Sequence, residues 1–173
     1  ICIYGGAAGG GKTFGLLLDP LRHKNVKRYS AEFFRKNNIQ IHAAGDLLDG
    51  SISMYSGISG AKLKYSPRPR WYFRNGGKIG FAHIERDDDL SKWQGSQITA
   101  IMFDELTHFT EKQFFYMLSR NRSVCGVKPY VRATCNPDAD SWVAKFIEWW
   151  IDPDTGYPIP ERSGKIRWML RRE

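Results

Sequence analysis

Cysteines and acidic residues are both in short supply in this chain. Cys2, Cys125 and Cys135 are odd in number and widely separated. They supply neither a disulfide framework nor a zinc site, so a reducing interior is the expected setting. His23, His42, His83 and His108 have no metal-ligand spacing, and Glu105 with His108 lacks the further partners of a zinc helix. No run approaches the roughly 18 apolar residues of a membrane span, so no membrane partner is expected. No stretch reads as a secretory signal, and there are no internal repeats or low-complexity tracts. The chain opens without methionine, already in an apolar strand pattern, and is expected to be a fragment with its natural start upstream. Asp and Glu number 18 against 26 Lys and Arg, a net charge of +8. That excess favours a polyanion partner through counterion release. At 173 residues the chain is long enough for one domain with a sizeable core.

Against these absences stands a glycine-rich motif. Gly6-Ala7-Ala8-Gly9-Gly10-Gly11-Lys12-Thr13 follows the apolar run Ile1–Tyr4 and precedes a helical pattern. It matches the phosphate-binding loop G-x-x-x-x-G-K-[ST] in full. Glycine tolerates the backbone angles that turn successive N–H groups toward one phosphate. Lys12 is expected to bridge the outer phosphates and Thr13 to ligate Mg²⁺. ATP with Mg²⁺ is the expected ligand, because no Asn-Lys-x-Asp guanine signature occurs.

Strand and helix patterns alternate along the chain, which predicts an α/β fold with a central, mostly parallel sheet flanked by helices. The first helix is expected to kink or end at Pro20. A second strand is read over 27–34, and 39–55 reads as a glycine-interrupted helix or as a helix and loop. Residues 70–84 read as a β-hairpin insertion turning at Asn75-Gly76. Residues 100–103 form a wholly apolar strand of the doubly buried kind. Thr110 and Gln113 have capping-box spacing and open a helix to about Arg120, with Phe114, Met117 and Leu118 along one side. A strand over 130–135, an amphipathic helix over 141–151 and a last strand over 165–170 complete the pattern. The helix would present Val143, Phe146, Trp149 and Trp150 as core or docking surface.

The apolar strand Ile101-Met102-Phe103 ends in Asp104-Glu105. One carboxylate at a strand end can hold Mg²⁺ and its neighbour can polarise an attacking water, which is the Walker B arrangement. Asp104 is assigned to the metal and Glu105 to catalysis. The pairing argues for a hydrolytic motor and against a small-molecule kinase. Arg132-Ala133-Thr134-Cys135-Asn136-Pro137 is a strand ending in polar residues, and Thr134 and Asn136 are read as a γ-phosphate sensor. Lys62, Lys64, Arg68, Arg70 and Arg74 alternate with Tyr65, Trp71, Tyr72 and Phe73 around the hairpin. The mix suits nucleic acid, and it equally describes a hairpin with one wet and one buried face. The basic tail Lys165, Arg167, Arg171 and Arg172 suits either DNA or a following domain. Asp87-Asp88-Asp89 reads as a solvated turn.

In this order the motifs resemble the ATPase domain of the large terminase subunit of tailed bacteriophages. The likeness rests on the loop through Thr13, Phe34-Arg35-Lys36, Trp93-Gln94-Gly95, Phe103-Asp-Glu-Leu-Thr-His-Phe109, Leu118-Ser-Arg-Asn-Arg122 and Arg132–Pro137. The resemblance implies a P-loop NTPase fold of the ASCE type over 1–173, without an upstream adenine-contacting segment or a downstream nuclease domain. It implies an ATP-hydrolysing motor that packages double-stranded viral DNA into a procapsid. Another DNA-dependent motor, a helicase or recombination translocase, is the alternative. By position it places the catalytic roles on Lys12 and Glu105, the metal on Thr13 and Asp104, and the coupling motif on Ala133–Asn136. Implied partners are the portal protein, the small terminase subunit and further copies in a ring, in the host cell cytoplasm. Many relatives carry an arginine just before a glycine upstream of the acids, where this chain has Gln94. Arg120 and Arg122, with Arg86 and Arg35, are the substitutes for an arginine finger.

Overall fold

The computed structural model describes residues 1–169 apart from Ala8 and Ala44. Seven strands form one sheet: β1 (Cys2–Gly5), β2 (Ser30–Arg35), β3 (Lys62–Lys64), β4 (Arg70–Tyr72), β5 (Lys78–His83), β6 (Ala100–Phe103) and β7 (Tyr130–Cys135). Their spatial order is β1-β7-β6-β2-β5-β4-β3. The pairs from β1 to β5 are parallel, and only the β5-β4-β3 edge is antiparallel. The helices are α1 (Lys12–Leu18), α2 (Asn38–His42), α3 (Leu47–Tyr55), α4 (Glu111–Leu118) and α5 (Trp142–Ile147). Among the described residues no helix is long and apolar enough to cross a membrane.

The central strands are apolar on both sides because both faces are covered. On one face Tyr29, Ala31, Phe33, Ile79, Phe81, Ala100 and Met102 join Leu17, Leu47 and Tyr55 in a continuous core. Polar atoms inside it find partners, with the Tyr55 hydroxyl donating to Leu17 O at 2.6 Å and Trp71 Nε1 to Ser51 Oγ at 3.0 Å. On the other face Phe34, Trp93, Phe103, Phe109 and Phe114 interlock edge to face or tilted, with centroids 4.8 to 5.6 Å apart. Such aromatic pairs add stability beyond their buried area.

Several boundaries differ from the sequence reading for local reasons. Residues 27–29 turn before β2, with Arg28 at φ 67, so the strand starts at Ser30. Region 39–55 is two helices parted at Gly45, φ 76, and each is capped by an acceptor side chain, Asn37 and Asp46. The hairpin turn is longer than a two-residue Asn-Gly loop. The N–H of Gly76 donates to Phe73 O at 2.9 Å and Gly76 itself takes φ 91, the geometry of a three-residue loop. The first helix ends at Leu18 and tightens into a 3₁₀ turn containing Pro20. Both halves of the Thr110–Gln113 capping box form.

The structure divides into two compact units, 1–137 and 138–173. In the second, Ser141 caps α5, and Glu148–Trp150 continues it as a 3₁₀ turn rather than an unbroken helix to 151. Val143 is buried, while Phe146, Trp149 and Trp150 are half-buried. Residues 165–169 do not form the expected strand, and Leu170, Arg171 and Arg172 lie outside the described residues. Arg162 and Arg167 instead lie over the Trp149 ring at 4.9 and 5.3 Å, a cation–π arrangement that does not need strand pairing.

The triple-Asp segment is an anchor rather than a free turn. The Asp89 carboxylate accepts from Lys92 Nζ at 2.6 Å and from the N–H groups of Arg86 and Glu85 at 3.0 Å. The Lys92 bond, then the backbone donors, hold its pKa down to about 2. A carboxyl whose pKa is depressed on folding stabilises above its unfolded value near ~3.9, and that contribution is lost as pH falls toward the folded value. After discounting for solvent screening, its contribution is about 1 kcal/mol. Asp89→Asn is therefore expected to lower Tm by about 3 °C at neutral pH. In thermal scans the gap to wild type should close as pH falls from about 4 toward 2.

Candidate active site

The parallel strands present their carboxyl ends along one edge, where ligands bind in open α/β sheets. There β1 runs into the glycine loop. The Gly6 N–H donates to Cys135 O at 3.2 Å, which ties the start of the loop to β7. Gly9 and Gly11 adopt φ 79 and 71, a left-handed conformation open to glycine and costly for other residues. The Lys12 ammonium folds back over the loop and donates to Gly6 O and Ala7 O, each at 2.7 Å. Ala8, expected in the same cradle, lies outside the described residues. A cavity of about 290 Å³ is lined by Gly9, Gly10, Gly11, Lys12, Thr13, Phe14, Asp104, Glu105 and Asn136. Phe14 is absent from the sequence-based site; its position directly behind Thr13 is the only signal for it.

Two segments 91 residues apart converge in this cavity. Thr13 Oγ1 lies 3.5 Å from both carboxylate oxygens of Asp104. Asp104 follows β6, and its backbone N–H donates to Phe34 O at 3.0 Å. Strand β7, inserted between β1 and β6, puts Thr134 against both acids. The Thr134 hydroxyl donates to Asp104 Oδ1 and accepts from the Glu105 N–H at 3.2 Å. Beside it, burial pushes the Cys135 thiol pKa up, with Lys12 opposing, which keeps the thiol protonated and inert.

Glu105 takes φ 58, an uncommon value for a residue other than glycine. Its Oε2 lies 3.1 Å from His108 Nδ1 and 3.4 Å from Arg35 Nη1. Arg35 ends β2 and is 7% exposed. Its Nη2 also reaches Asp46 Oδ1 and Asp104 Oδ2, both at 2.8 Å. One buried guanidinium thus joins three carboxylates. Arg35 is a candidate finger for a neighbouring subunit by sequence, and the structure engages it within its own site instead. Three acids within reach of its fork account for this; Asp46 carries no sequence signal for the role.

The other arginines lie elsewhere. Arg120 stacks over Tyr116 at 5.1 Å, and Arg122 Nε donates to Ser119 O at 3.2 Å. The Arg120 carbonyl accepts from the Ile98 N–H, at the opposite end of β6 from Asp104. Arg86 precedes a 3₁₀ turn, and Gln94 ends it, exposed.

Among the described residues no three His, Cys, Asp or Glu side chains cluster as a metal cage. Mg²⁺ does not require one. It is commonly held by one or two protein oxygens together with phosphate and water, and the Thr13 hydroxyl beside the Asp104 carboxylate supplies such an oxygen set. The residues fit the ion.

A phosphate loop, an acid pair at the end of a strand, and an additional strand between them together define a P-loop NTPase fold of the ASCE type. Residues 3–171 match the profile of the family described as terminase large subunit, T4likevirus-type, N-terminal, and the chain belongs to that family. Among solved structures, the large terminase of a thermophilic bacteriophage is similar, with TM-score 0.65 and 16% identity over 84% of this chain and 36% of that one. The same phage terminase in complex with ATP-gamma-S gives 0.58 and 18%, over 79% and 32%. The N-terminal domain of the DNA packaging ATPase from bacteriophage phi29 gives 0.60 and 12%, over 88% and 81%. The chain spans about a third of the length of the thermophilic phage's terminase. Among curated proteins none matches significantly.

Proposed function

We propose that this chain hydrolyses ATP and couples the hydrolysis to translocation of double-stranded viral DNA into a procapsid. The observation carrying the reading is the meeting of Thr13, Asp104, Glu105 and Thr134 around one cavity lined by the glycine loop. The loop amides and Lys12 receive the β- and γ-phosphates, Lys12 exchanging the carbonyls of Gly6 and Ala7 for phosphate oxygens. Thr13 and Asp104 hold Mg²⁺, which neutralises charge on the phosphates when bound. Glu105 orients a water for in-line attack and takes its proton. Thr134 touches the Asp104 carboxylate and the Glu105 backbone N–H, so displacement of the Asp104 carboxylate is transmitted to β7, and Asn136 extends that strand into the cavity as a phosphate sensor with Thr134.

Terminase family membership supports the packaging role, as do the structural likeness to a terminase holding ATP-gamma-S and to the phi29 genome packaging motor assembly. The partners are then double-stranded DNA, the portal protein and the small terminase subunit. A homo-oligomeric ring forms in the host cell cytoplasm, and a neighbour's arginine completes each site, with Arg120 and Arg122 its candidates here.

The test is phosphate release by the full-length protein with and without duplex DNA, alongside a strand-separation assay. DNA-stimulated release without strand separation is expected, and Lys12→Ala should abolish it. Strand separation would favour a helicase. Phosphate transfer to a small acceptor instead of water would overturn the motor reading.

A further inference from the structure

Two segments without a single carboxylate, 20–31 and 50–84, carry ten Lys and Arg between them. That exceeds the net +8 of the whole chain, so the remainder is slightly acidic. The fold packs these segments together. Residues 24–29 lie against the hairpin turn. The N–H of Lys78 donates to Tyr29 O at 2.9 Å, and a Cβ on Gly77 would stand 2.2 Å from Lys24 O. Antiparallel pairing then sets Lys62 beside Tyr72 and Tyr72 beside Lys78.

The structure sorts the basic hairpin residues into two groups. Arg68 and Arg70 turn inward and ion-pair with Glu32, which is 2% exposed. Burial raises the Glu32 pKa, with the two arginines opposing. Trp71 and Phe73 join the core. These four residues have a structural role. Lys62, Lys64, Arg74 and Lys78 remain exposed, and Lys27 and Arg28 join them from the neighbouring loop. Among the described residues none of these six takes part in an ion pair. Lys64 and Lys78 place their ammonium groups 5.2 and 5.7 Å from the Tyr72 ring. Beside this ring opens a cavity of about 490 Å³ lined by Ser59, Gly60, Lys62, Tyr72, Phe73 and Arg74. It lies toward the amino end of β5, whereas Asp104 and the glycine loop occupy the carboxyl ends of the parallel strands.

We infer that this groove and its lysine and arginine rim grip the phosphate backbone of duplex DNA. Six cations with no ion-pair partner, from segments that carry no carboxylate, attract a regular polyanion without first breaking an ion pair, and a rim of point charges on long side chains suits sequence-independent contact. The choice of DNA over other polyanions rests on the translocase reading above; the charge and shape of the groove do not.

The experiment is fluorescence-anisotropy titration of a labelled blunt DNA duplex with the full-length protein across a salt series. It compares wild type with a variant carrying Lys27→Ala, Arg28→Ala, Lys62→Ala, Arg74→Ala and Lys78→Ala. Each phosphate contact adds about 0.9 to the slope of log K against log salt. The variant should lose about 3 to 4 of that slope and on the order of 100-fold in affinity at low salt, while binding a fluorescent ATP analogue as wild type does. Lys27→Glu and Lys62→Glu, made singly, should each lower the slope by about 1 even if the fivefold variant fails to fold. Wild-type binding that survives all these changes with its slope intact overturns the groove and leaves the translocase reading standing. A wild-type protein that ignores duplex DNA, or prefers RNA or anionic vesicles, overturns the translocase reading and with it the assignment of this partner.

Discussion

Glu105→Gln is expected to cut ATP turnover by about 10²- to 10⁴-fold, the usual loss on removing a general base. Nucleotide affinity should stay within about threefold, because the loop amides, Lys12 and Thr13 are untouched. The amide keeps the shape of the side chain and one acceptor oxygen toward His108 Nδ1 and Arg35, now 3.1 and 3.4 Å from the carboxylate. It cannot accept the proton of an attacking water. The φ of 58 is no worse for Gln than for Glu, and Arg35 keeps Asp46 and Asp104 as partners, so Tm should hold. Steady-state phosphate release and titration of a fluorescent nucleotide separate the two effects. Ordinary turnover in the variant would remove Glu105 from the role of base. A loss of nucleotide binding equal to the loss of rate would point to a collapsed site.

Arg35→Ala should produce the largest loss of stability of any single substitution in the site. Three carboxylates share one guanidinium that is 9% exposed at its side chain, and Asp104 beside it is 2% exposed. Removing a buried charge partner costs about 3–5 kcal/mol, because the groups left behind stay desolvated and uncompensated. For a chain of this size that corresponds to a fall in Tm of about 10 °C. Arg35→Lys should recover part of it, since a point charge reaches one carboxylate well but cannot fork across three. Adding Asp46→Asn to Arg35→Ala should also restore part of the loss, by relieving one uncompensated carboxylate. Thermal unfolding of the single and double variants measures this coupling directly. An Arg35→Ala protein as stable as wild type, or strictly additive losses in the pair, would mean that the three acids do not depend on this residue.

Features whose geometry is carried by local spacing were legible in the chain. The glycine loop needs consecutive positions able to take positive φ, and Gly9 and Gly11 take it. The strand ending in Asp104-Glu105 is apolar throughout because both sheet faces are covered, and the Thr110–Gln113 box closes on itself within four residues. Side chains whose partners lie far away in the chain were not legible. Arg35 is indistinguishable from Arg86, Arg120 and Arg122 by spacing. Its role is defined by Asp46, Asp104 and Glu105, and the packing of β2 beside β6 is what brings the last two within reach. Alternating arginines and aromatics around the hairpin look uniform in sequence, yet one buried residue of β2, Glu32, draws in Arg68 and Arg70 and leaves Lys62, Arg74 and Lys78 outside.

The amino-acid order alone determined the local features of the site: a glycine-rich loop, two adjacent acids closing an apolar strand and a second strand with a polar end, all set by contiguous residues and backbone preference. Which charges face the ligand, which neutralise one another and which remain open to solvent was decided by tertiary structure. Electrostatic partnership depends on separation in space and on desolvation, and neither can be read from position along a chain.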